Sequence, residues 1–86
     1  NATHANTMAR YLENKIREIP AVRITRSVEA NAVFAVVPEK IIEPLKRKFF
    51  FYVWDETASE VRWMTSFDTT EEEIDEFSDL IRKLVS

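Results

Sequence analysis

A helical repeat of apolar residues opens the chain. Between Ala2 and Glu18 the apolar side chains recur at spacings of three and four residues, which places them on one face of a helix. Pro20 ends this pattern, because proline lacks the N–H group that continues a helix. The predicted buried face consists of Ala5, Met8, Ala9, Leu12, Ile16 and Ile19.

Two strands are predicted next. Val22 to Arg26 alternates apolar and polar residues, as a half-buried strand does. Ser27 to Ala30 is expected to form a turn. Asn31 to Val37 is apolar apart from its first residue, which favours a central strand covered on both faces.

A second helix follows Pro38, a residue that suits the first turn of a helix. Its apolar face is predicted to carry Ile41, Ile42, Leu45 and Phe49. Pro44 lies inside this pattern, so either the helix is kinked there or it begins late.

The second half of the chain predicts a hairpin and a final helix. Phe50 to Trp54 is aromatic and β-rich, Asp55 to Glu60 is polar, and Val61 to Phe67 is the returning strand. The last helix is capped by Thr69 or Thr70, since Thr69 with Glu72 and Thr70 with Glu73 both match a capping box.

The element order is thus α-β-β-α-β-β-α. Short connections favour antiparallel pairing, so we expect an α+β fold. It should contain a four-stranded, mainly antiparallel sheet with helices mainly on one face. A chain of 86 residues is expected to form a single small domain over residues 1–86.

Both faces of the predicted sheet carry apolar side chains. Alternation assigns Arg62, Met64 and Ser66 to one face of the last strand, and Val61, Trp63, Thr65 and Phe67 to the other. The strand before it divides in the same way, with Phe51 and Val53 opposite Phe50, Tyr52 and Trp54. Three helices cover one face well but hardly two, which predicts an apolar patch for a partner chain or another domain. The alternative is that one helix crosses to the second face.

Composition excludes several kinds of site. The chain has no cysteine and a single histidine, His4, which rules out thiol chemistry and leaves a catalytic triad or a zinc site without its other residues. His4 is expected to have a surface or helix-terminus role. Glycine is absent, so no glycine-rich phosphate loop exists in the chain. The net charge of −3 gives no case for nucleic acid, and no apolar run approaches the length of a membrane span.

Arg62 is the candidate binding residue. An arginine within an apolar strand is costly to bury unless it binds an anion or pairs with a carboxylate. One interpretation is an ion pair with Asp55, Glu56 or Glu60 across the hairpin. The other is a bidentate clamp for a small carboxylate or phosphate.

Three segments resemble a known family. Ala5 to Leu12, Glu29 to Phe34 and Val61 to Thr70 are similar to the interdomain helix, the central strand and the arginine-bearing last strand of one family's small domain. That family comprises the threonine aldolases and related β-eliminating lyases, which are fold type I pyridoxal-phosphate enzymes of the aspartate-aminotransferase superfamily. The chain resembles their C-terminal small domain and is therefore expected to be the C-terminal part of a longer enzyme.

The resemblance implies a function. Arg62 would bind the α-carboxylate of the amino-acid substrate of a lyase that cleaves β-hydroxy amino acids to glycine and an aldehyde. The family's pyridoxal 5'-phosphate site lies in a large domain, so we expect no cofactor bound to this chain and no activity of the chain alone. The expected partners are that large domain, the substrate and further copies of the enzyme, in the cytoplasm, with neither nucleic acid nor membrane. The alternative is a free-standing α+β module for protein interaction or dimerisation.

Overall fold

A computed structural model of the chain describes residues 2–26 and 30–86, with the backbone alone for Ala2. Within these residues, three helices and four strands follow one another in the predicted order, and the α+β fold class is confirmed. The elements are α1 (Ala2–Arg17), β1 (Arg23–Ile24), β2 (Ala32–Val36), α2 (Glu39–Lys46), β3 (Tyr52–Asp55), β4 (Glu60–Met64) and α3 (Glu71–Val85). The turn predicted at Ser27 to Ala30 lies largely outside the described residues.

The four strands form one sheet in the order β1-β2-β4-β3, and every neighbouring pair is antiparallel. The register places Arg62 between Phe34 of β2 and Tyr52 of β3. The hairpin between β3 and β4 contains a β-bulge, because Val53 pairs with Val61 while Asp55 pairs with Glu60.

The three helices bury one face of the sheet. Val33, Ala35, Val61 and Trp63 on this face are buried in the core. Their helical partners in the same core include Leu12, Ile16, Leu45, Ile74, Phe77 and Ile81. The opposite face, here called the open face, carries Arg62 with the exposed side chains of Tyr52, Trp54 and Met64. The predicted division of β3 and β4 between two faces is therefore confirmed as far as Thr65, and all three described helices lie on the same side.

Two strand predictions need correction. The returning strand ends at Met64, so Phe67 does not share the buried face and is 70% exposed. The chain turns there because Ser66 and Thr69 bond to each other, with the Ser66 N–H donating to the Thr69 hydroxyl at 2.8 Å. At β2, helices cover one face only, and Phe34 on the open face is covered instead by the ring of Trp54 and the guanidinium of Arg26.

The observed helix ends decide which threonine caps α3 and where α2 begins. Thr70 is the N-cap of α3, with the full capping box to Glu73, so the Thr69–Glu72 alternative is wrong. Helix α2 begins at Glu39 and keeps Pro44 inside it, so a late start is excluded. Phe49, predicted on the apolar face of α2, lies beyond the end of that helix but still packs against the core.

Candidate functional site

Arg62 lies in the middle of the open face. Its strand β4 is flanked by β2 and β3, which hold the backbone on both sides. The side chain is half-buried, and its buried Nε atom has no hydrogen-bond partner among the residues that the structure describes. A buried N–H group without an acceptor is costly, and the cost is larger for a charged group. The site is therefore centred on a half-buried guanidinium whose Nε atom has no acceptor among the described residues.

Aromatic rings surround this cation. The Arg62 Cζ atom lies 5.4 Å from the ring centroid of Tyr52 and 5.1 Å from that of Trp54. Arg26 contacts the same cluster, with its Cζ atom 4.5 Å from the Phe34 ring and 5.9 Å from the Trp54 ring. Guanidinium groups stack favourably on aromatic faces. The open face thus presents two positive charges among aromatic rings.

Two of the three hairpin carboxylates have other partners. Asp55 accepts hydrogen bonds from the backbone N–H groups of Thr57 and Ala58, at 3.0 and 3.3 Å. Glu60 accepts a bond from the Thr25 hydroxyl at 2.6 Å. Within the described residues, no carboxylate lies within 4.0 Å of the Arg62 guanidinium. The ion pair across the hairpin, one of the two interpretations of Arg62, is therefore not observed.

The neighbours of Arg62 were only partly predictable. Alternation puts Tyr52 and Trp54 on its face, but the bulge at Trp54 leaves no clear mark in the sequence. The aromatic run itself was the available signal, since an arginine opposite alternating aromatic residues is a stacking pattern.

His4 lies at the surface, as the sequence predicts. Its side chain is exposed, and its Nε2 atom is 2.7 Å from the carbonyl oxygen of Thr69. This contact joins the start of α1 to the segment between β4 and α3. Nearby, the buried Thr65 hydroxyl donates to the Ala5 carbonyl at 2.6 Å. Both contacts fix α1 against the strand that carries Arg62.

A separate cavity of about 140 Å³ lies on the helical side of the sheet. Its walls include Leu12 of α1, Trp63 of β4, and Ile74 and Phe77 of α3. The Trp63 indole Nε1 is buried and has no hydrogen-bond partner within residues 2–26 and 30–86. Arg62 does not line this cavity, although Phe50 and Met64 do.

Helices α1 and α3 are joined by a polar cluster. The Tyr11 hydroxyl donates to Asp75 Oδ1 at 2.7 Å, and Lys15 Nζ lies 3.2 Å from the same oxygen. The hydrogen bond to Asp75 raises the pKa of Tyr11 to about 12. The same hydrogen bond, helped by Lys15, lowers the pKa of Asp75.

Two other kinds of site are absent from the described part of the chain. No group of three or more histidine, aspartate or glutamate side chains is arranged to hold a metal ion there. None of the described helices has the length and apolar character needed to cross a membrane.

The chain has both sequence relatives and structural neighbours among known proteins. Low specificity L-threonine aldolase from a Pseudomonas species is 34% identical over all 86 residues, and the protein of the same name from Pseudomonas aeruginosa is 36% identical over 84 residues. The structure of Leishmania major threonine aldolase matches 96% of the chain with a TM-score of 0.83 at 24% identity, which shows a shared fold. No protein-family model matches the sequence.

The match covers only part of each relative. The chain spans 25% and 23% of the two Pseudomonas proteins and 25% of the Leishmania chain, or about a quarter of each. The resemblance that the sequence indicates is nevertheless confirmed along the whole chain. The chain is related to the threonine aldolases.

Proposed function

We propose that the chain is the C-terminal small domain of a pyridoxal-phosphate lyase that cleaves β-hydroxy amino acids to glycine and an aldehyde. In this proposal Arg62 binds the α-carboxylate of the substrate. The observation that carries it is the half-buried guanidinium on the open face, which no carboxylate within 4.0 Å neutralises among the described residues. The names of the two Pseudomonas relatives supply the reaction class.

The chemistry of the guanidinium suits a carboxylate. Arginine stays charged at all ordinary pH values, and its planar fork matches two carboxylate oxygens. The terminal nitrogens of Arg62 make no hydrogen bond with the described residues, and they are not among the buried atoms that lack a partner. They are therefore open to an incoming anion. A substrate held in this way has its reacting bond in a fixed orientation.

The cofactor would be held outside this chain. All five lysines (Lys15, Lys40, Lys46, Lys48 and Lys83) lie on helices or directly after α2, whereas Arg62 faces the other side of the sheet. The residues present here therefore do not fit the site of a cofactor that must act beside Arg62. We accordingly expect the isolated chain to bind no pyridoxal phosphate and to show no activity. Tight stoichiometric binding in a fluorescence titration would contradict this expectation.

The open face would pack against the large domain of the same protein. Phe50 is 81% exposed, and Tyr52, Trp54 and Met64 are each about half exposed. Contiguous apolar surface of this kind usually marks an interface. We further propose that the complete enzyme is a cytoplasmic homo-oligomer of amino-acid metabolism, as the resemblance implies.

Substitution of Arg62 in the full-length enzyme tests the role of the guanidinium. Arg62→Ala should raise KM for the amino-acid substrate roughly 30-fold or more, because loss of one partner of a hydrogen-bonded charge pair costs about 2–5 kcal/mol. Arg62→Lys should restore little, since lysine lacks the planar fork.

Arg23→Ala is the matched control. Arg23 is an exposed arginine that pairs with Val36 on the same open face, so its loss removes an equal charge from that face. We expect its KM to stay close to that of the wild type. An unchanged KM in Arg62→Ala, or equal effects of the two substitutions, would refute the assignment of Arg62.

The second candidate is a free-standing module that uses the exposed aromatic residues of the open face for protein interaction or dimerisation. The exposure of Phe50, Tyr52 and Trp54 favours it. The two candidates differ in the coding sequence upstream of Asn1. A large lysine-bearing domain encoded there supports the lyase, and a start codon directly before Asn1 supports the module.

A further inference from the structure

Trp54 lies in the β-bulge of the hairpin, on the same face of the sheet as Arg62. In β3, Tyr52 pairs with Arg62 and Val53 pairs with Val61, but the next pair joins Asp55 to Glu60. Trp54 is therefore the extra residue of the bulge. Bulges bend a strand and redirect side chains, and they are frequent next to functional sites. Here the indole ring centroid lies 5.1 Å from the Arg62 guanidinium carbon.

The indole is itself held in place. Phe34, opposite Arg62 on β2, meets Trp54 edge to face with ring centroids 5.2 Å apart. Tyr52, opposite Arg62 on β3, adds its own ring at 5.4 Å from the guanidinium carbon. Phe34 is only 9% exposed and anchors the group to the sheet. The rings thus form a fixed frame for a long side chain.

No polar group of the described residues holds the Arg62 guanidinium in position. Arg62 Nε has no hydrogen-bond partner, and the described carboxylates lie beyond 4.0 Å from the guanidinium. An arginine side chain left free would lose about 2 kcal/mol of rotamer entropy when it binds an anion. Ring contacts that restrict it beforehand reduce this cost.

We propose that Tyr52 and Trp54 are positioning residues that fix the Arg62 guanidinium for a carboxylate ligand through cation–π contacts. This inference rests on the proposed role of Arg62 and extends it to two residues that do not touch the substrate themselves. Tyrosine and tryptophan suit the role because their rings attract a cation without neutralising its charge.

The test measures steady-state kinetics of the full-length enzyme with Trp54→Leu and Tyr52→Leu, each alone and combined with Arg62→Ala. Each single substitution should raise KM about fivefold, the equivalent of about 1 kcal/mol for one cation–π contact, with a smaller change in kcat. In the Arg62→Ala background, neither substitution should raise KM further, because the group being positioned is gone.

Two further variants separate positioning from folding. Trp54→Phe keeps an aromatic face and should recover part of the lost affinity. Phe67→Leu removes an exposed aromatic side chain outside the cluster and should leave KM unchanged. Both Tyr52 and Trp54 are about half exposed, so their substitution leaves the buried core intact.

The outcomes distinguish the proposed role of Arg62 from the proposed role of Tyr52 and Trp54. If Arg62→Ala raises KM while Trp54→Leu and Tyr52→Leu do not, the positioning role is wrong and the carboxylate role stands. If the ring substitutions raise KM equally with and without Arg62, the rings act independently of Arg62 and the inference is again wrong. If Arg62→Ala leaves KM unchanged, the proposed function fails and the inference fails with it.

Discussion

Arg62 and Tyr52 lie directly opposite each other on neighbouring strands, with the guanidinium carbon 5.4 Å from the centre of the phenol ring. The contact lies on the face of the sheet that no described helix covers. Cross-strand pairs of opposite charge stabilise a sheet by neutralising each other. Here a cation is paired with aromatic rings, which attract it without neutralising its charge.

The hydrogen bond between Tyr11 and Asp75 predicts how stability depends on pH. The folded-state pKa of Tyr11 is raised from 10.0 to about 12, so its contribution is complete below pH 10 and is lost as pH rises toward 12. The folded-state pKa of Asp75 is lowered from 3.8, so its contribution is complete above that value and is lost as pH falls through the folded pKa. The wild type should therefore exceed Tyr11→Phe in stability by a constant margin from about pH 5 to 9. This difference in stability should shrink at lower and at higher pH than this range.

Urea denaturation of the wild type and Tyr11→Phe, from acid pH below the ordinary pKa of Asp75 up to about pH 12, measures the margin. Tyr52→Phe is the matched control, since the Tyr52 hydroxyl has no hydrogen bond with any described residue. Its difference from the wild type should stay small at every pH. A margin for Tyr11→Phe that does not fall between pH 10 and 12 would contradict the assignment.

The positive φ of Ser59 predicts a stabilising substitution by glycine in the hairpin. Ser59 has φ 57°, in the left-handed region that disfavours a residue with a Cβ atom by about 1–2 kcal/mol. Glycine removes that cost but adds roughly 0.5–1 kcal/mol of unfolded-state entropy. Ser59→Gly should therefore raise the free energy of unfolding by up to about 1 kcal/mol.

Ala58→Gly provides the comparison one residue earlier. Ala58 is not among the described residues with positive φ, so glycine there brings only the entropic cost of about 0.5–1 kcal/mol. Denaturant midpoints should shift in opposite directions for the two variants. Equal shifts would show that Ser59 carries no backbone strain.

Much of the fold follows from periodicity. The buried stripes of α1 and α3 and the two faces of β4 needed only spacings of three to four and of two residues. The capping box at Thr70 needed only its sequence motif. These features depend on residues that are close together in the chain, so they can be predicted from the sequence alone.

The features that the sequence did not predict have a common cause. The end of β4 before Phe67, the bulge at Trp54 and the engagement of Glu60 by Thr25 all depend on contacts between distant or irregular segments. Spacing alone therefore left Arg62 with two interpretations. Among the described residues no carboxylate lies within 4.0 Å of its guanidinium, so the ion pair is not observed.

Carboxylate recognition by Arg62 is tested most directly by comparing two ligands that differ in one group. Glycine and glycinamide have the same size, but only glycine carries a carboxylate. We predict by isothermal titration calorimetry that the wild-type full-length enzyme, loaded with its cofactor, binds glycine more tightly than glycinamide. In Arg62→Ala this preference should collapse toward equal affinity, whereas in Arg23→Ala it should persist. An undiminished preference for glycine in Arg62→Ala would contradict the proposal that Arg62 binds the substrate carboxylate.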